Sequence, residues 1–127
     1  MGKSRRLRAI CAILTLAGVP AALSAATGDF SCRNTNAEIT CTSRACEVNT
    51  TGYTPMGVSL AGNRLEICAY SGCSSGALDL RRLRGDHLVV HANLSRGQGS
   101  ATVVYDVRKK AATLLWGNYA LPMSCGR

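Results

Sequence analysis

The chain has 127 residues, 15 Lys and Arg against 7 Asp and Glu, a formal net charge of +8 and 46 % hydrophobic residues. That length admits one small domain with a modest core. The charge does not point to nucleic acid, because no basic run is interleaved with aromatics.

Residues 1–26 read as a cleaved secretory signal peptide. Lys3, Arg5, Arg6 and Arg8 form a positive start, residues 9–23 are almost wholly apolar, and Ser24, Ala25 and Ala26 are small. The apolar run is short of the ~20 residues that span a bilayer. Cleavage after Ala26 leaves a single disulfide-rich β domain at 27–127, with no integral membrane span. The leader takes four bases and no acid, so the mature chain keeps 11 bases against 7 acids, a balance of +4. Such a charge permits weak attraction to anionic partners such as envelope glycans, lipid headgroups or an acidic protein. Cys11 leaves with the leader.

Strand and turn signals then alternate to the end of the chain. Residues 30–33, 39–42 and 58–60 are short strand candidates. In 65–70, Leu65, Ile67 and Ala69 share a face. Residues 78–83 and 87–94 follow. In 100–107, Ala101, Val103, Tyr105 and Val107 lie on one side. Residues 113–116 and 119–124 complete the set. Glycine-bearing turns separate these runs, at Ala61-Gly62-Asn63, Ser71-Gly72, Gly85-Asp86, Arg96-Gly97-Gln98-Gly99 and Gly117-Asn118, and 106–110 reads as a charged hairpin turn. The expected fold is all-β: a small antiparallel barrel of about eight strands, or a sandwich, stapled by disulfides.

The six cysteines beyond the leader are Cys32, Cys41, Cys46, Cys68, Cys73 and Cys125. An even number in a short exported domain implies a disulfide framework in an oxidising compartment, hence a periplasmic or secreted protein. Six cysteines allow 15 pairings. The first choice is Cys32–Cys125, Cys41–Cys46 and Cys68–Cys73. Two pairs enclose four residues each, and the third would join the first and last strands of a closed sheet. The rival joins Cys41 or Cys46 to Cys68 or Cys73. A zinc site built from the Cys-x4-Cys pairs with His87 and His91 is disfavoured. On one strand those histidines stand ~13 Å apart, at about 3.3 Å per residue.

Nothing in the chain composes an enzyme or calls for a cofactor. No Gly-x-Ser-x-Gly elbow is present, and Asp29, Glu38, Glu47, Glu66, Asp79, Asp86 and Asp106 are scattered singly. Arg84-Gly85-Asp86 is read as a turn in place of an adhesion triplet. Arg64, Arg81, Arg82, Arg84 and Arg96 could form a basic patch, though a solvated face is the simpler reading. Tyr70 and Ser71, inside the Cys68–Cys73 loop, form a rigid exposed feature suited to protein recognition.

The chain resembles the bacterial inhibitors of c-type lysozyme, small exported barrels found in periplasmic and membrane-bound forms. Phe30-Ser31-Cys32 with Cys125 is similar to their opening aromatic-x-Cys strand and late partner cysteine. Ser75-Gly76-Ala77 is similar to their serine loop. Ser95-Arg96-Gly97 before Ala101-Thr102-Val103 is similar to their basic turn and following strand. The resemblance implies a loop inserted into the cleft of a lysozyme-like hydrolase, with Ser75 and Arg96 meeting its carboxylates. Asp79 stands where the family has a tyrosine, and the basic residue is arginine in place of lysine. The competing expectation is an envelope-associated structural or adhesive module that binds glycan or protein through a basic surface.

Overall fold

The computed structural model describes residues 28–34, 36–70 and 72–126. The leader and cleavage point expected over residues 1–26, with Cys11, lie outside the described residues, as does Ser71. Ten strands form one antiparallel sheet: β1 (Phe30–Arg33), β2 (Glu38–Cys41), β3 (Cys46–Asn49), β4 (Met56–Ala61), β5 (Arg64–Ala69), β6 (Gly72–Arg84), β7 (His87–Asn93), β8 (Ser100–Asp106), β9 (Ala111–Trp116) and β10 (Tyr119–Gly126). Among the described residues there is no helix, hence none long and apolar enough to cross a membrane.

Eight of these strands close into a barrel. The order runs β1-β4-β5-β6-β7-β8-β9-β10, and β10 pairs back onto β1 with Cys32 opposite Cys125. Closure leaves no continuous sheet edge, which is how a small all-β chain satisfies its backbone. The expected barrel is therefore the observed one, and a sandwich is not. The hairpin β2–β3 lies outside the barrel, where β2 pairs with the start of β10 through Tyr119 and Ala120.

Strict alternation drives the closure. Val58, Leu65, Ile67, Val90, Val103, Leu114 and Leu121 are all fully buried and come from six strands. Their neighbours in sequence face water, as period-two strands with one buried face require. Phe30 of β1 meets Tyr105 of β8 across the interior, with ring centroids 4.7 Å apart, a separation typical of tilted aromatic pairs. One polar side chain among the described residues is buried, Asn34. It sits where the β2–β3 hairpin leaves the barrel. Its amide donates to the Thr54 carbonyl at 2.9 Å and its carbonyl accepts the Met56 N–H at 2.7 Å. Glu38 accepts the Thr54 N–H at 3.0 Å. Together they tie the connection after β3 to the end of β1 and the start of β2.

All six cysteines are paired: Cys32–Cys125, Cys41–Cys46 and Cys68–Cys73. Each pair occupies directly opposed strand positions. The Cα separations are 3.9, 4.0 and 4.0 Å, close to those of non-hydrogen-bonded pairs. The Cys-x4-Cys spacing follows from hairpin geometry. Two turn residues are closed by one hydrogen-bonded pair, and the next pair, with its side chains closest, carries the cystine. Thr42 and Ala45 form that bonded pair in the β2–β3 hairpin, with N to O at 2.8 Å. Ala69 and Gly72 are the equivalent pair between β5 and β6.

Three details of the strand pattern differ from expectation. β3 is additional, and all four of its residues are exposed, so no alternation marks it. β6 begins at Gly72, well before residue 78, and continues to Arg84. Val107 belongs to the β8–β9 turn and not to the strand.

Candidate functional site

Up-and-down connectivity sorts the loops to the two barrel ends. One end carries the β5–β6 turn, the loop after β7 (residues 94–99), the β9–β10 turn and the β2–β3 hairpin. Tyr70, Ser75 and Arg96 therefore all belong to this end, although 26 positions separate the first from the last in sequence.

The loop at 94–99 is fixed from within. Arg96, Gly97 and Gly99 have φ of 59°, 68° and 76°, left-handed values that glycine adopts freely and arginine seldom does. Leu94 N–H donates to the Gly99 carbonyl at 2.8 Å. The Trp116 indole N–H donates to the Gln98 carbonyl at 2.8 Å, anchoring the loop to β9. Arg96 is thus presented from a short loop bonded at both its base and its side. Among the described residues it forms no ion pair.

β6 lies against this loop. Ser95 N–H donates to the Ser75 carbonyl at 3.0 Å, and Ser75 N–H donates to the Ser95 hydroxyl at 3.4 Å. Gly76 permits the approach, since a Cβ there would overlap the Asn93 carbonyl oxygen. Ser75 and the neighbour of Arg96 are therefore directly bonded. The Ser75 side chain points to the outer wall, opposite Glu66, and its hydroxyl accepts from the Arg64 guanidinium.

Ser74, with the opposite parity, faces the barrel mouth. There a crevice of about 260 Å³ is lined by Ser74, Cys73, Ala69, Arg96, Gln98 and Trp116. Ser74, Gln98 and Trp116 are the site residues that sequence reasoning missed. The signal was the strand start: with β6 beginning at Gly72, alternation from the buried Ile67, which opposes Ser74, assigns Ser74 inward.

Tyr70 is the other prominent feature. It is 82 % exposed and holds φ of 53° in the two-residue turn between Ala69 and Gly72, with Cys68–Cys73 bridging the next pair. A large side chain in left-handed backbone is strained and persists only where its surroundings enforce it. The Cys68–Cys73 cystine bridges the strand pair beside this turn. Tyr70 also borders a second crevice of about 430 Å³, with Arg33, Asn34 and Pro55.

The end as a whole offers hydroxyls, arginines and aromatic surface. Cys68 and Cys73 lie with Glu66 in a cluster of metal-ligand type. Their sulfurs are bonded to each other, so they offer no thiolate. His87 and His91 stand apart on the outer face of β7. There His91 Nδ1 meets the Thr102 hydroxyl at 2.9 Å and His87 meets Asp106 at 3.6 Å. Comparison with protein-family models, curated proteins and solved structures finds no match for this chain. The three disulfides suit an oxidising, non-cytoplasmic compartment.

Proposed function

We propose that the mature protein is a periplasmic or secreted binding protein that inhibits a c-type lysozyme by loop insertion. It performs no turnover and needs no cofactor. The observation that carries this reading is the loop at 94–99, which presents Arg96 from a fixed backbone and is bonded through Ser95 to Ser75. The sequence resemblance to lysozyme inhibitors selects the same two positions. A preorganised loop loses little entropy on docking, so its contacts register as affinity. In the enzyme cleft, Arg96 would pair with carboxylates that normally serve the sugar. Ser75, whose hydroxyl lies on the adjoining outer wall against Arg64, would add a contact at the cleft's rim. The Tyr70 turn at the same end offers a second contact.

The test is a cell-lysis assay with c-type lysozyme and the oxidised mature protein. Wild type should inhibit. Arg96→Ala should weaken inhibition about ten- to a hundredfold, the worth of a charge-assisted contact of ~1.5–3 kcal/mol. Ser75→Ala should weaken it less. Unchanged lysis at up to about 0.1 mM wild-type protein would overturn the inhibitor reading. Salt-sensitive binding to envelope preparations would then favour the adhesive module.

A further inference from the structure

Two crevices meet at Arg33, on the barrel rim beside the β5–β6 turn. The one of about 430 Å³ reaches from Tyr70 and Pro55 to Arg33 and Asn34. A smaller one, of about 150 Å³, runs on down the outer wall past Ser31, Ser59 and Glu66. Arg33, Gly57 and Cys68 line both, so the two form one trough. Strand alternation produces it. Cys32 and Val58 are buried, so Ser31, Arg33, Gly57 and Ser59 face outward. Across the strands Arg33, Gly57 and Cys68 make one row, and Ser31, Ser59 and Glu66 make the next.

We propose that this trough binds an acidic saccharide, with a sugar carboxylate at Arg33 and Asn34 and a sugar ring against Tyr70. The uncommitted groups at the mouth are hydrogen-bond donors. Among the described residues Arg33 forms no ion pair and no side-chain hydrogen bond. Its guanidinium offers five N–H donors and no acceptor. Asn34 lines the crevice although it is only 5 % exposed. Its side-chain nitrogen carries two hydrogens. One goes to the Thr54 carbonyl, and the other has no acceptor among the described residues. A buried N–H beside a free guanidinium selects an anionic acceptor, and the planar fork of arginine matches a carboxylate.

The rest of the trough suits a sugar. Tyr70 and Pro55 stand exposed at its upper end. The electron-rich face of an aromatic ring receives the C–H side of a pyranose. Further down, the Ser31 and Ser59 hydroxyls have no partner among the described residues, and Glu66 forms no ion pair there. These groups can donate to and accept from sugar hydroxyls. The upper crevice alone falls within the ~300–1,000 Å³ of ligand clefts. A peptide is served less well. β1 is paired to β10 on one side and β4 on the other, so no open strand edge receives a peptide backbone here. The proposal is independent of lysozyme inhibition, which rests on the loop that carries Arg96.

The probe is digalacturonate, titrated by calorimetry into the oxidised mature protein. Saturable binding is expected, with NMR amide shifts concentrated at residues 31–34, 55–59 and 66–70. The dimethyl ester keeps both rings and loses the charge, and should bind at least about tenfold more weakly. Succinate keeps two carboxylates and lacks the rings, and should be as weak. Arg33→Gln and Tyr70→Ala should each weaken digalacturonate binding about tenfold or more. Gly57→Leu should block the trough where the crevices join. A Cβ at Gly57 meets only the Cys32 carbonyl oxygen, at 3.7 Å, an ordinary contact that leaves the fold intact. Arg84→Gln removes the same charge at the far end of the barrel and should bind as wild type. The ester and succinate arms change nothing in the protein, so a folding defect in a variant cannot mask the result. No saturable binding, equal binding of the ester or of succinate, or undiminished binding by Gly57→Leu would each overturn the proposal. So would shifts centred on residues 94–99, or equal losses in Arg33→Gln and Arg84→Gln.

Discussion

Gly76 shows how one position sets the site. It faces inward opposite Leu65, and the Asn93 main chain lies where its Cβ would be. Gly76→Ala must therefore push β6 away from the end of β7 and displace the Ser75–Ser95 bonds. Overpacking of this kind costs ~1–3 kcal/mol. Denaturant melts should show that loss, together with weaker lysozyme inhibition, whereas Ser75→Ala should leave stability almost unchanged. Asn34 is the buried counterpart. Asn34→Leu strands the Met56 N–H and the Thr54 carbonyl. An unsatisfied buried group costs ~1–3 kcal/mol, and a wild-type melting temperature in this variant would refute the role. Asp106 adds a pH dependence. Its carboxylate accepts the Lys109 and Arg108 N–H groups, which, with His87 and Lys109 nearby, hold its pKa below the usual aspartate value. A depressed folded pKa gives stability that is present above the unfolded value and lost as pH falls through the folded one. Asp106→Ala should thus lower Tm at neutral pH. The gap to wild type should close as pH drops below about 4. A gap that does not narrow at all as the pH is lowered would count against that origin.

At the scale of elements, legibility followed burial. β5 and β8 alternate because one face is sealed in the core, and their sequences show it: Leu65 and Ile67, Ala101, Val103 and Tyr105. β3 has no buried face, so its sequence carries no period. β6 hides its period for another reason. A register shift between Leu78 and Leu80, at Asp79, reverses its faces, so Leu78 and Leu83 share the inner side although five residues apart. Its early half, Gly72 to Ala77, is made of small residues without an apolar period, so its sequence does not mark Ser74 as facing the mouth. The Cys-x4-Cys spacing was legible because a two-residue turn leaves few other geometries. The same hairpin logic predicts what Cys68→Ala/Cys73→Ala does. The loop it closes is short, with a sequence separation of 5, so the chain-entropy loss is only about 2 kcal/mol. The barrel should persist, while the left-handed Tyr70 turn relaxes. Faster amide exchange confined to residues 68–73 is the expected result. Unchanged exchange there would show that the turn needs no cystine.

The whole molecule depends on closure, and the three disulfides contribute to it unequally. Cys32–Cys125 spans a sequence separation of 93, worth about 4–5 kcal/mol in the chain-entropy description, against about 2 for each hairpin cystine. Small domains have only ~5–15 kcal/mol in total. Cys32–Cys125 is thus the covalent counterpart of the β1–β10 seam, where only three residues of β1 pair with β10. Access follows the reverse order. Cys32 is 1 % exposed, whereas Cys46 and Cys73 lie at the surface. Thiol exchange requires a thiolate to reach a sulfur, so mild reductant should open Cys41–Cys46 and Cys68–Cys73 first and leave the barrel folded. Cys32–Cys125 should open only as the barrel unfolds, and the two events should coincide. Timed alkylation with mass mapping, read beside the loss of near-ultraviolet dichroism, measures both. Alkylation of Cys32 ahead of the hairpin cysteines would break the argument, as would a fully folded signal after Cys32 and Cys125 are blocked. In either case the seam would be held by strand pairing and the buried apolar face alone.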